Sequence, residues 1–405
     1  MRIINQGHLG YCTNIHAGES WQEVFKSLQE HCPPLKHVLS PQAPFGIGLR
    51  LSNRASVELL EEDRLKAFSN WLEQNGLYVF TMNGFPYGNF HGSKVKDQVH
   101  TPDWTTPERL AYTKRLFTIL AALLPGGMEG GVSTSPLSYK YWHNAGAARE
   151  SVRQTSMQHM VTLVAYLVRI KQESGCCMHL DIEPEPDGML ETCEEYITFF
   201  RDHLLEDGAI QLAKDLGVTA AEAQDHIRLH IQLCYDVCHF AVGFEKPQDV
   251  IESLARHGLL TGKIQISAAL KCSAGSNVPV NTQQACLETF DEPVYLHQAV
   301  VKTRDGELHR YRDLGEGIRA MGRPDFEEIR THFHVPVFTP GFRLLTSTQD
   351  EISDVLQLWR TTPFTAHLEV ETYTWDVLPG ELRTGMTRSI ERELQWVLDS
   401  LAGPK

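Results

Sequence analysis

No stretch of this sequence approaches the ~18 consecutive apolar residues of a transmembrane helix, so no membrane partner is expected. The opening residues, Met1-Arg2-Ile3-Ile4-Asn5-Gln6-Gly7-His8, lack the apolar core of a signal peptide, and a cytoplasmic location is the expectation. There is no dense Lys/Arg cluster, and the formal net charge is −14. Nucleic-acid binders carry a basic patch, so nucleic acid is not an expected partner. The nine cysteines include no CxxC pair. An odd, scattered set reads as reduced thiols packed as small hydrophobes. No GxGxxG follows an apolar run, which argues against a dinucleotide-binding open sheet. Neither an internal repeat nor a low-complexity linker divides the chain, so residues 1–405 are read as one domain.

Hydrophobic residues make up 42% of the chain and charged residues 22%, as in an ordinary globular protein. Strand-like runs alternate with helical patterns. The strands are read at 10–15, 45–52, 78–83, 131–135, 177–183, 230–236, 263–269 and 366–372. Helices are predicted at 20–31, 54–75, 106–124, 145–173, 190–206, 246–257, 348–360 and 380–402. Thr106-Pro107-Glu108 offers a helix cap and first-turn proline, and Thr348-Gln349-Asp350-Glu351 fits a capping box. Strictly alternating strand and helix implies parallel strands joined by right-handed crossovers. Eight such units predict a closed (β/α)8 TIM barrel. About 95 residues separate the last two strands, far beyond an ordinary loop. Its 270–335 part is expected to lie over the barrel mouth and help cover substrate.

Barrel enzymes react at the C-terminal ends of their strands, so the polar residues ending each strand are the candidates. The fifth reads His179-Leu180-Asp181-Ile182-Glu183-Pro184-Glu185-Pro186. Alternation puts His179, Asp181 and Glu183 on one face, with Glu183 at the exit. Glu183 could sit in an ordinary turn, but a charge pointing into a barrel is costly unless paired or metal-bound. The sixth ends at Asp236, with His239 three residues on. The two could share a metal, or one could hold metal and the other substrate. On the seventh, Gln265 could be a neutral oxygen ligand or an internal hydrogen-bonding group. On the eighth, His367, Glu369 and Glu371 share a face, and Glu371 is nearer the exit; Glu369, one layer deeper, would support the ligands from behind or partner an arginine such as Arg50. Asn83-Gly84-Phe85-Pro86-Tyr87-Gly88-Asn89-Phe90-His91 reads as a substrate-covering loop, with His91 as ligand or proton donor. Asn83, Glu185, His239 and Arg310 are further candidates for holding substrate. His332 and His334 have metal-like HxH spacing and are placed at a strand start inside the long connection.

This pattern resembles the xylose-isomerase-like barrel superfamily, which includes sugar epimerases and endonuclease IV. The resemblance implies a metal held by Glu183, Asp236, His239 and Glu371. Gln265 falls where that superfamily has a histidine. His309-Arg310-Tyr311-Arg312-Asp313-Leu314-Gly315-Glu316-Gly317 is similar to the nuclease segment ending in Gly-Glu-Gly, which implies a ligand position for His309 and leaves a multinuclear zinc site incomplete at Tyr311. The whole chain resembles the EboE-type metabolite-traffic proteins. Tyr11-Cys12-Thr13-Asn14-Ile15-His16, Asn83-Gly84-Phe85-Pro86-Tyr87-Gly88, Glu183-Pro184-Glu185-Pro186 and Glu369-Val370-Glu371-Thr372-Tyr373-Thr374-Trp375 carry that likeness. It implies a place in small-molecule synthesis or export, with other proteins of the pathway as partners.

The resulting expectation is an isomerase or epimerase using a divalent metal (Mn, Zn, Mg or Co). Glu183, Asp236, Gln265, His309 and Glu371 would be ligands, and Glu183 and Glu371 also the catalytic pair acting on a sugar- or cyclitol-like substrate. A metal-dependent hydrolase or nuclease, and a non-catalytic metabolite-binding barrel, are the alternatives.

Overall fold

The computed structural model describes every residue except 5–6, 89–94, 276–277, 376, 379, 381–384 and 404–405. Seven parallel strands come first: β1 (His8–Tyr11), β2 (Phe45–Arg50), β3 (Leu77–Asn83), β4 (Gly130–Thr134), β5 (Met178–Ile182), β6 (Ile231–Asp236) and β7 (Thr261–Ile266). An inserted antiparallel set follows: β8 (Ala268–Ser273), β9 (Ala299–Thr303), β10 (Leu308–Tyr311), β11 (Phe326–Val335), β12 (Gly341–Phe342) and β13 (Leu345–Ser347). The last strand, β14 (His367–Val370), slots between β1 and β7. The parallel sheet runs β1-β14-β7-β6-β5-β4-β3-β2. Its two ends meet at a bridge between Cys12 and Gly48, with the Arg50 N–H donating to Thr13 Oγ1 at 2.8 Å, so the sheet is a nearly closed (β/α)8 barrel.

Several elements differ from the periodicity reading for local reasons. The first strand lies upstream, and Thr13–Ile15 is a short 3-10 turn. The helix predicted over 54–75 is two, Asn53–Leu59 and Arg64–Gln74, broken where Glu62 takes φ 52°. Cys193–Phe199 runs on through a wide-turned Phe200–Gly208 into Ala209–Leu216. A helix not foreseen, Ala220–His230, starts at a Thr219/Glu222 capping box. Thr348 does not cap its helix by side chain; its hydroxyl accepts the Ala269 N–H at 2.8 Å, tying the helix to the inserted sheet.

The barrel interior is polar as well as apolar. Lys263 Nζ donates to Glu369 Oε2 at 2.6 Å and Ser133 Oγ at 3.0 Å, and both charged side chains are fully buried. Glu369 therefore pairs with Lys263, not with Arg50, which binds Glu19. Gly48 makes room for it: a Cβ there would lie 1.4 Å from Glu369 Oε1. Burial works against a charged Lys263, but Glu369, with Cys234, Cys12 and Glu183 adding to it, pushes the ammonium pKa upward. A broken buried pair leaves a stranded charge. Lys263→Met is expected to lower stability by about 3–5 kcal/mol in urea unfolding, with much of the loss recovered in Lys263→Met/Glu369→Leu. An unchanged urea midpoint in the single variant would contradict this.

The inserted strands form a six-stranded sheet ordered β10-β9-β11-β8-β13-β12, extending to Ser347 rather than ending near 335. Glu393, on the last helix (Met386–Ala402), clamps this insertion to the barrel: its Oε1 accepts the Val337 N–H at 3.1 Å and the Thr372 hydroxyl at 2.6 Å. Burial raises its carboxyl from 4.5 to about 7. Between those values the folded chain holds a proton that the unfolded chain has released, so this group's contribution falls as pH rises through that window and is level above it. The shift corresponds to ~3 kcal/mol. Glu393→Gln keeps an acceptor oxygen, so its melting temperature is expected to exceed the wild type's at pH 8 and to match it near pH 4.5. Parallel pH profiles for the two proteins would refute this.

Candidate metal centre

The strand ladders deliver the acidic residues. Glu183 and Glu371 each lie just beyond a strand end, yet their backbone N–H groups still donate to Thr134 O (3.0 Å) and Ile266 O (2.9 Å). Both are thus fixed as extensions of β5 and β14. Asp236 ends β6 and caps the following helix, Val237–Val242, by accepting the His239 N–H at 3.0 Å. One carboxylate oxygen from each of Glu183, Asp236 and Glu371 lies within 4.8 Å of the other two, and all three residues are buried. Asn14 and Asn83 donate to Glu371 Oε1 at 2.6 and 3.0 Å, which turns Oε2 inward.

Gln265 sits among them. The sequence reading makes it an oxygen ligand, but the structure aims its nitrogen at the acids: Nε2 lies 2.8 Å from Glu183 Oε1, 2.8 Å from Asp236 Oδ2 and 2.6 Å from Glu371 Oε2. An amide nitrogen has only two hydrogens for these three acceptors. Glu183 Oε2 is buried without a hydrogen-bond partner among the described residues. Burial, then the neighbouring acids, push Glu183 and Glu371 well above the usual carboxylate range. Asp236 goes the other way: burial opposes, but the nearby imidazoles of His239 and His334 and hydrogen bonds from the Ser267 hydroxyl and the His239 N–H together lower its pKa. The cluster is short of positive charge.

Three histidines surround the acids, each with one ring nitrogen turned to an oxygen acceptor. His239 Nδ1 faces Pro184 O (3.0 Å), His332 Nδ1 faces Gln298 Oε1 (3.0 Å), and His334 Nδ1 faces Glu371 O (3.1 Å). Those bonds place the N–H on Nδ1 and the lone pair on Nε2, the pattern of imidazoles that bind a metal. The Nε2 atoms of His239 and His332 are 3.1 Å apart, so two lone pairs face each other with nothing to satisfy both except a proton or a cation. His334 Nε2 is buried and unpartnered. Burial lowers the pKa of His332 well below its ordinary value and that of His334 to about 4, so both stay neutral. Three further groups close enough to hold an ion are Asp236–His239–His334, Glu185–His239–His332 and Cys238–His332–His334. The donor set fits a divalent cation: buried carboxylates, neutral imidazoles and orphaned lone pairs.

His332 and His334 come from the C-terminal end of β11, not from a strand start, and the insertion carries them into the site. HxH spacing on a strand puts both rings on one face, and that was the available signal. Gln298 and His100, whose Nε2 lies 3.0 Å from Glu185 Oε1, carry no motif and were missed. His309 stands on β10 with its ring 3.5 Å from Glu307. It belongs to none of the ligand-capable groups among the described residues. Arg310 is likewise elsewhere: it binds Glu191 at 2.7 Å and does not line the cavity over the acids. Neither His309 nor Arg310 lines the cavity over the acids. His91 lies outside the described residues. The cavity above the acids, about 70 Å³, is lined by Asn83, Glu183, Glu185, His239 and Glu371 from the barrel and by Tyr295, Gln298 and His332 from the insertion. No described helix is long and apolar enough to cross a membrane.

No protein-family model and no curated protein matches the sequence. Solved structures that it resembles include a xylose isomerase-like TIM barrel protein from Mycobacterium smegmatis in complex with magnesium (TM-score 0.48, 11% identity, 99% of this chain and 98% of that one). Others are the IOLI protein with a bound zinc atom (0.45, 10%, 98% of each chain) and a xylose isomerase domain protein from Alicyclobacillus acidocaldarius subsp. acidocaldarius (0.44, 10%, 98% and 100%). At these scores and identities the likenesses assign no activity; the barrel is established by its own strand order.

Replacing the one donor shared by the three acids exposes their charge deficit. Gln265→Leu is expected to melt lower than wild type in chelator, by on the order of 1–3 kcal/mol for the stranded acceptors, and to regain stability on addition of Mn(II). Melting temperatures unmoved by either change would contradict the arrangement.

Proposed function

We propose that the barrel mouth is a divalent-metal centre that isomerises or epimerises a small polyhydroxylated carbonyl compound, sugar- or cyclitol-like, with or without a phosphate. The single observation carrying this reading is the set of three buried carboxylates converging on one amide nitrogen that cannot satisfy them all. Glu371, Asp236 and His334 would hold the metal with Glu183. When bound, a divalent ion supplies Lewis acidity toward a carbonyl or alkoxide oxygen. The chain's own residues do the rest. Asn14 and Asn83 fix the orientation of Glu371. Among the described residues one Glu183 oxygen has no partner, and burial raises its carboxyl above the ordinary carboxylate range, the direction that suits taking and returning a proton beside a carbonyl. Phe85, Val95, Tyr295 and Tyr373 give the cavity apolar walls, and Glu185, His239 and Gln298 give it polar groups for hydroxyls.

A hydrolase is the second reading, favoured by one observation. The facing Nε2 atoms of His239 and His332, with Glu185, offer a further cation position beside the first, and paired metals stabilise both oxygens of a displacement at phosphorus. The insertion supplies histidines, His332 and His334, to a site that the nuclease-like segment leaves incomplete at Tyr311.

Metal-loaded protein incubated in D2O with a panel of keto and aldo sugars and inososes separates the readings. Deuterium appearing beside the carbonyl supports the isomerase. Hydrolysis of phosphate esters or of abasic DNA without such exchange supports the second reading. Neither activity leaves a binding barrel. Roles are tested by two substitutions. Glu371→Gln is expected to weaken metal binding at least tenfold, since an amide oxygen attracts a hard cation far less than a carboxylate. Glu369→Gln, one layer deeper and paired with Lys263, is expected to retain it. Metal loss in Glu369→Gln with full retention in Glu371→Gln would overturn the assignment.

A further inference from the structure

A second cluster lies at the opposite, N-terminal end of the barrel. His367 opens β14, His179 is the second residue of β5, and Glu129 immediately precedes β4. One ligand-capable atom from each lies within 4.8 Å of the others. Both histidines are buried, at 0% and 2% exposure, while Glu129 is exposed and can rotate its carboxylate onto a shared centre.

The hydrogen bonds around the two rings leave a specific deficit. His179 Nδ1 is 2.6 Å from Asp181 Oδ1, so that nitrogen carries the proton and Nε2 the lone pair. Asp181 is wholly buried, and its Oδ2 has no hydrogen-bond partner. Cβ atoms at Gly131 and Gly262 would lie 2.4 and 1.8 Å from the Asp181 oxygens, so two glycines clear the space that this acid occupies. His367 Nε2 is 3.1 Å from the Glu129 carbonyl, which makes it the donor and leaves Nδ1 a lone pair, buried and unpartnered. An imidazole that gives one N–H to a carboxylate or carbonyl and keeps its other nitrogen free is oriented as a metal ligand. A cleft of about 860 Å³ opens beside the cluster, and Glu129 and His367 line it. Two imidazoles, one carboxylate and a side open to solvent make a zinc-type donor set with a fourth position left for water or a small anion.

We propose that Glu129, His179 and His367 form a divalent-metal site of zinc type at the base of the barrel, separate from the mouth. Asp181 positions His179 without touching the ion. The site ties the starts of β4, β5 and β14 together from outside the reaction centre. It does not depend on the reading of the mouth, which uses different residues.

The test uses the full chain stripped with chelator and titrated with Zn(II) against a chromophoric competitor, then with Co(II). In the mouth variant Asp236→Asn/Glu371→Gln, one equivalent of zinc is expected to remain, with the visible Co(II) bands of a tetrahedral site. Adding Glu129→Gln to that background should weaken the remaining site at least about tenfold, and adding His367→Gln should abolish it. Because Glu129 is exposed, its variant reports on binding even where His367→Gln fails to fold. In otherwise wild-type protein, Glu129→Gln should leave the equivalent held at the mouth. The proposal is overturned if the mouth variant takes up no zinc, or if Glu129→Gln leaves its zinc affinity unchanged.

Discussion

Burying carboxylates inside a barrel is the constraint from which the rest of this structure follows. Alternation along β5 and β14 puts His179, Asp181 and Glu183, and His367, Glu369 and Glu371, on the inward faces, rising from base to mouth. A buried carboxylate must find a counter-charge or lose its own. Asp181 accepts a hydrogen bond from His179 Nδ1, and Glu369 takes the charge of Lys263. At the mouth, Glu183, Asp236 and Glu371 share only the Gln265 amide. The lower acids are answered within the chain, while the uppermost layer is left short of positive charge where solutes can reach it.

The inserted sheet completes that layer. An eight-stranded barrel could present the acids alone, but β11 brings His332 and His334 against them, and Gln298 fixes the tautomer of His332. Glu393 clamps the same insertion to the exit of β14, next to Glu371. The inserted sheet with its two histidines and the exit of β14 are therefore tied together. The glycines belong to the same economy of space. Gly48 and Gly262 lack side chains where Glu369 and Asp181 need the volume.

Much of this was legible in the sequence where the signal is local. Strand and helix alternation gave the barrel, and strand position put Glu371 one layer nearer the mouth than Glu369, which lies against Lys263. What was illegible depends on which residues meet across the barrel. Nothing in the neighbourhood of Lys263 marks it as the partner of Glu369, because the pairing exists only once β14 has inserted between β1 and β7. Likeness to a nuclease segment pointed to His309, whereas on β10 its ring faces Glu307, and it is β11 that brings His332 and His334 to the acids. Thr348 had the sequence of a helix cap but spends its hydroxyl on Ala269, a tertiary contact that local pattern does not encode.

The central claim is that the acidic cluster at the mouth is a cation site for which the Gln265 nitrogen stands in. Anomalous diffraction from crystals grown with Mn(II) or Zn(II), collected on both sides of the metal edge, tests it most directly. The account predicts a peak bonded to oxygens of Glu183, Asp236 and Glu371 at about 2.0–2.2 Å, with the Gln265 amide turned or displaced from between them. A map without a peak there, with Gln265 Nε2 still seated among the three carboxylates, would contradict it.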